Sequence, residues 1–305
     1  MERNGIIKNS LIAMPANVLW ATQLTTLWIT MGVLSISLLK TPGAFAHADL
    51  LAFIDIVSKQ IEGDPKNASL YLRRGELYRV HTDWKLAESD YDRVAELDPK
   101  LDTVGFCRGK LCFESGQNDR ARTFLDKYLA GRPDHVESLL IRARLLVKLG
   151  ERKAAADDFT RAIAKAPDPM PEYFLERAQA QADDDEVEAA LRGLDNGLKR
   201  LGPLVGLELY AIELELARRD FDHALSRLDA ISARSVRKEK WLTRRGEILV
   251  LAGQLDEAKK SFTAALSAID ALPPRLRQTP AMHELKKRVN AVLAAGSNSK
   301  AGGIK

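Results

Sequence analysis

Two cysteines, five histidines and an acidic run at Asp183, Asp184, Asp185 and Glu186 are the groups in this chain whose types invite nucleophilic or metal chemistry. Cys107 and Cys112 stand five residues apart, so on one helix they would point roughly 140° from each other. That separation suits neither a disulfide nor a shared metal, and both read as small packing residues. His47, His81, His135, His223 and His283 show no His-x-x-x-His pairing, and no Cys-x-x-Cys is present. The acidic run lacks the glycine and the spaced ligands of a calcium loop and reads as a solvated turn. Nor is there a G-x-S-x-G nucleophile turn or a phosphate-cradling glycine loop. The reading is of a protein with no catalytic residues, no metal and no cofactor.

The elements that carry these residues follow from composition and period. Apolar residues make up 46% of the 305 residues and charged ones 29%, a globular balance, while aromatics are only 6%. Unbranched side chains of this kind favour helix over strand. A formal charge of +4 is too small to argue for nucleic acid. Small residues recur at Gly75, Gly109, Ala143, Ala178 and Gly246, in steps close to 34 or a double step. Twelve residues after each stands an alanine: Ala87, Ala121, Ala155, Ala190 and Ala258. Four further on stands a large side chain: Tyr91, Leu125, Phe159, Leu194 and Phe262. Pro99, Pro133 and Pro167 close the first three units. A degraded unit fills the gap from Leu204 to Ser235, with Ala224 and Leu228 in the later places and Leu207, Ala211 and Leu214 as a face displaced by one.

This pattern resembles the tetratricopeptide repeat family, in which each unit is an antiparallel helix pair, A then B. The resemblance implies an all-α, right-handed α-solenoid of about six helix pairs with capping helices at its ends. Small residues let helices A and B approach, and proline ends helix B. Gly116, Gly150 and Gly253 fall where the turn between them needs a permissive backbone. Arg74, Arg108, Arg142, Arg177 and Arg245 each precede the small residue, and Asp90 and Asp158 precede a helix B aromatic. These read as bridges between A and B, the alternative being an arginine ladder for an anion. The resemblance also implies that helix A lines a concave groove binding a protein or peptide. Carried onto this chain, the groove residues are Leu72, Glu76, Arg79 and Val80, then Phe106, Lys110, Phe113 and Glu114, then Leu140, Arg144, Val147 and Lys148. Phe106 and Phe113 are expected as its anchors. The chain lacks the Lys/Asn set by which co-chaperone members clamp a terminal carboxylate.

Charge is unevenly spread. Seven acids face Arg177 alone between Glu172 and Glu188, and six bases face Glu239 alone from Arg234 to Arg245. At the N-terminus no charge occurs from Asn9 to Leu39, and Leu24 to Leu39 has the character of a signal h-region. Pro42 and Gly43 are expected to end any helix before the Ala44-Phe45-Ala46 cleavage pattern. The competing reading is an uncleaved anchor over residues 24–39. The expected organisation is a signal or anchor over 1–46, a capping helix over 47–66, six repeats over 67–271, a second cap over 272–295 and a disordered tail over 296–305. The function implied is a periplasmic or secreted interaction scaffold. The alternative is a membrane-anchored envelope assembly or secretion factor, and membrane contact is expected only if the N-terminal segment is retained.

Overall fold

The structure is a computed structural model that describes the backbone of residues 42–301 and the side chains of residues 49–294. The stretch Leu24–Leu39 lies outside the described residues. Pro42 is the first residue of α1 (Pro42–Gly63). Gly43 follows it in the same helix, so this pair, expected to end any helix, is itself helical where the structure describes it. The Ala44-Phe45-Ala46 motif consequently lies within α1.

Twelve helices follow as six A/B pairs: α2 (Ala68–Val80) with α3 (Trp84–Leu97), α4 (Thr103–Glu114) with α5 (Asn118–Gly131), and α6 (Val136–Lys148) with α7 (Arg152–Lys165). The remaining pairs are α8 (Pro171–Ala182) with α9 (Val187–Leu201), α10 (Val205–Ala217) with α11 (Phe221–Arg234), and α12 (Glu239–Leu251) with α13 (Leu255–Asp270). Each helix B also packs on the next helix A, so every core spans a pair and its neighbour. Helix B ends two residues before Pro99, Pro133 and Pro167, as their missing N–H requires. A short α14 (Pro274–Arg277) leads into α15 (Pro280–Ala301), which packs on α13. The described backbone of the segment 296–305, expected to be disordered, is helical to Ala301.

The turn inside each pair keeps the same period as the helix B alanines in all six units. A residue with positive φ occupies it at Thr82, Gly116, Gly150, Asp185, Arg219 and Gly253. In all six turns the next N–H reaches back five residues, as Asp83 N–H does to Tyr78 and Gln254 N–H to Leu249. This Schellman closure satisfies carbonyls that the end of helix A leaves open. Three units meet the left-handed requirement with glycine, and the others carry Thr82 (φ 66°), Asp185 (φ 61°) and Arg219 (φ 61°). A β-branched side chain is poorly tolerated there. Thr82→Gly is therefore expected to raise stability by about 1 kcal/mol, read as a higher urea midpoint.

Packing explains the small residues. A Cβ on Gly75 would lie 2.6 Å from the Tyr91 ring, and one on Gly109 would lie 2.9 Å from Leu125. Ala87, Ala121, Ala155, Ala190, Ala224 and Ala258 are buried at the matching places of helix B. In the degraded unit the turn stays in register while the small residue comes one place early, at Ala211. Leu207, Ala211, Leu214, Ala224 and Leu228 are all buried there, as the displaced face predicts. Upstream, Ile54, Val57 and Ile61 give α1 a buried face, and Arg74 donates to the Ser58 hydroxyl.

Candidate functional site

Cys107, Cys112 and His135 are structural. Both cysteines are free and buried, and burial pushes the Cys107 thiol up to about 12. His135 is the N-cap of α6, where its Nδ1 accepts the Ser138 N–H at 3.2 Å. Its ring meets Phe106 and Tyr128 edge-on, at centroid distances of 4.9 and 5.2 Å. Burial lowers its pKa below the usual 6.5, and protonation of Nδ1 would remove the cap acceptor. With the folded value depressed, the unfolded chain binds the proton more readily. The stabilising contribution is thus full above pH 6.5 and is lost as pH falls through the lower folded value. His135→Asn, which keeps a cap acceptor without titrating, should flatten the loss of thermal stability between about pH 7 and 5.

The arginines are bridges. Arg74 pairs with Asp90 at 2.7 Å across α2 and α3, and Arg142 with Asp158 at 2.6 Å across α6 and α7. Arg108, Arg142 and Arg245 also reach back to Asp92, Asp126 and Asp229 on the preceding helix B. In the degraded unit the polarity is inverted. Arg227 stands on helix B and binds Glu215 of α10 and Asp195 of α9. Arg177 meets no carboxylate: Gly193 occupies the place of Asp90 and Asp158, and Arg177 Nη2 donates to the Gly193 carbonyl at 3.1 Å.

The groove-facing residues divide by their position on helix A. Leu72, Phe106 and Leu140, each three before the small residue, turn into the space between units. Phe106 and Leu140 are buried and Leu72 is partly so. The expectation of Phe106 as an exposed anchor is corrected here, because its ring packs against Tyr128 and His135. Phe113 and Val147, each four after the small residue, open onto the groove, with Phe113 half-buried and Val147 exposed. Val80, Glu114 and Lys148 are exposed one position further along.

Charge at the groove is largely paired. Arg79 lies between Glu76 and Glu114, and Tyr91 donates its hydroxyl to Glu76. Burial pulls the Arg79 pKa down, but the two carboxylates outweigh it and raise the value. Lys110 pairs with Glu137 at 2.9 Å, and its ammonium stands 5.5 Å above Phe106. Arg144 holds Glu176 through two bonds of 2.8 and 3.0 Å. Lys148 lies 4.0 Å over the Phe113 ring.

Two cavities flank the Arg144–Glu176 bridge. One, of about 610 Å³, is lined by Phe113, Val147, Lys148, Ala180, Asp183 and Tyr210 among others. The other, of about 470 Å³, has Lys110, Phe113, Glu137, Met170 and Tyr173 in its walls. Phe113 belongs to both. The spacing rule, applied to the first three units, did not reach Glu176, Gln179, Asp183 or Tyr210. Gln179 and Asp183 sit one and five after Ala178, so the same rule carried one unit further finds them. Tyr210 precedes the displaced Ala211, and no regular spacing points to it.

A family model described as tetratricopeptide repeat matches residues 106–168 and, overlapping them, 142–204. No curated protein sequence matches the chain. Among solved structures, the C-terminal part of a TPR repeat-containing protein from Cytophaga hutchinsonii superposes with a TM-score of 0.59 at 16% identity, over 75% of this chain and 96% of that one. A tetratricopeptide repeat protein from Parabacteroides merdae aligns at 18% identity and a TM-score of 0.48, over 80% of this chain and 94% of its own. At such identity the first likeness speaks for the fold alone. With the family model matched twice, residues 106–204 are tetratricopeptide repeats, and helix pairs of the same kind continue on both sides of the match.

Proposed function

We propose that this protein is a non-enzymatic scaffold that holds a peptide segment of another protein along the A helices α4, α6, α8 and α10. The observation that carries the reading is the pair of adjoining cavities around Phe113, with an apolar floor and charged walls already paired within the groove. Paired walls fix the shape of the groove and leave apolar contact as the source of affinity. Apolar side chains of the partner would occupy the two cavities on either side of the Arg144–Glu176 bridge. The groove offers no nucleophile–base pair, which supports binding over catalysis.

The same reading places the scaffold in the periplasm or outside the cell. Its support is the uncharged stretch from Asn9 to Leu39 followed by Ala44-Phe45-Ala46. That stretch equally supports a membrane-anchored assembly or secretion factor, and no helix among the described residues is itself long and apolar enough to cross a membrane. N-terminal sequencing of the exported protein separates the two, since a start near His47 removes residues 24–39.

Phe113→Ala tests the groove. Against a partner recovered from the envelope fraction, it is expected to weaken the binding free energy by about 1–3 kcal/mol while helical content is unchanged. Unchanged affinity per folded molecule would move the binding surface away from these cavities.

A further inference from the structure

The loop joining α11 to α12 differs from the proline-closed loops after the first three pairs. It runs from Ser235 to Lys238, and Val236 at its tip is 99% exposed, the most open of the large apolar side chains among the described residues. Around it lies the basic run from Arg234 to Arg245. Four of its six bases are neutralised from within, Arg234 and Arg237 by the buried Glu208 and Glu239, Arg244 by Glu247 and Arg245 by Asp229. Lys238 and Lys240 face no carboxylate among the described residues, and Lys240 stands 4.0 Å over the Trp241 ring.

The C-terminal cap adds to this patch. Arg237 also reaches the Met282 sulfur at 3.4 Å, which brings the start of α15 beside the loop. In α14, just before it, Arg275 is exposed with no carboxylate partner among the described residues, and Arg277 is spent on the Asp270 carbonyl at 2.8 Å. The corresponding loops of the earlier pairs are balanced instead, with Arg132 on Asp102 and Lys165 on Asp134. Two uncompensated lysines therefore stand beside a projecting apolar side chain, and Arg275 lies in the short helix that leads into the α15 segment touching this loop.

We propose that this loop is a peripheral contact for an anionic lipid surface, with Lys238, Lys240 and Arg275 at the headgroup phosphates and Val236 below them. Cations alone would serve any polyanion. The valine selects the lipid, because inserting it removes apolar area from water only where an apolar layer lies beneath the phosphates. This contact is separate from the Phe113 groove and from residues 24–39.

The test is co-sedimentation of the full chain with phosphatidylcholine vesicles, with and without phosphatidylglycerol. Any contribution of residues 24–39 is common to the wild type and the variants. Phosphatidylglycerol should raise the bound fraction, and added salt should lower it. Lys238→Glu with Arg275→Glu should weaken partitioning about tenfold or more. Val236→Ser should weaken it by about fivefold, and Val236→Trp should strengthen it. Phe113→Ala should leave it unchanged. All of these sites are exposed, and helical content measured by circular dichroism checks that each variant folds. The proposal is overturned if phosphatidylglycerol gives the wild type no gain. It is equally overturned if only the charge reversals matter and both Val236 variants bind like wild type, which would make the patch a contact for nucleic acid or an acidic protein.

Discussion

Arg142→Met is expected to destabilise the array by about 3–5 kcal/mol, whereas Arg177→Met should cost nothing or stabilise it. The two arginines occupy the same place in neighbouring units, directly before Ala143 and Ala178. Arg142 grips Asp158 through bonds of 2.6 and 2.8 Å, and that carboxylate is 5% exposed. Removing the guanidinium leaves that buried carboxylate with Arg161 alone, at 3.5 Å. Arg177 is buried as well, but it has a backbone carbonyl for a partner and its Nε has none. Desolvation without a carboxylate lowers its pKa, and methionine removes that burden while keeping much of the packing volume. Hydrogen exchange of the α6–α7 and α8–α9 amides checks both outcomes, since damage in a solenoid should spread mainly to adjacent pairs.

The second large effect is at Gly246. Helix propensity alone predicts that Gly246→Ala gains about 1 kcal/mol. The structure reverses the sign. A Cβ there would lie 2.6 Å from Phe262 Cε1 and 2.8 Å from two further ring carbons, closer than packed atoms tolerate. Phe262 is 2% exposed, so its ring has little room to retreat. Overpacking of this kind costs about 3 kcal/mol, leaving a net loss of about 2 kcal/mol. Combined with Phe262→Leu, the alanine should cost markedly less than it does alone. A denaturant-unfolding double-mutant cycle measures that coupling.

Much of this architecture was legible because the features that repeat are the ones that packing enforces. Ala87, Ala121, Ala155 and Ala258 are small where two backbones approach, and their spacing survives in the sequence. The degraded unit was legible through Ala211 and Ala224 for the same reason. Its turn was harder to see, because Arg219 holds a positive φ that sequence logic assigns to glycine. The groove was only partly legible. Position along helix A indicates which residues lie near the concave face, but Phe106 and Phe113, seven apart on one helix, differ in what stands opposite. Tyr128 and His135 enclose the first, while Lys148 covers one face of the second beside an open cavity. Those neighbours come from other helices, Tyr128 from the partner helix and His135 and Lys148 from the next unit, and a single-helix pattern does not contain them.

The central claim is that the groove around Phe113 is where a partner protein binds. A photo-crosslinking side chain placed at Tyr210, in the wall of the larger cavity, tests it most directly in cells. The control position is Lys127, exposed on helix B of the second pair. The account predicts a discrete crosslinked partner from position 210, lost when Phe113→Ala is added, and none from position 127. A partner captured equally from both positions, or one captured from 210 that Phe113→Ala leaves untouched, would contradict it.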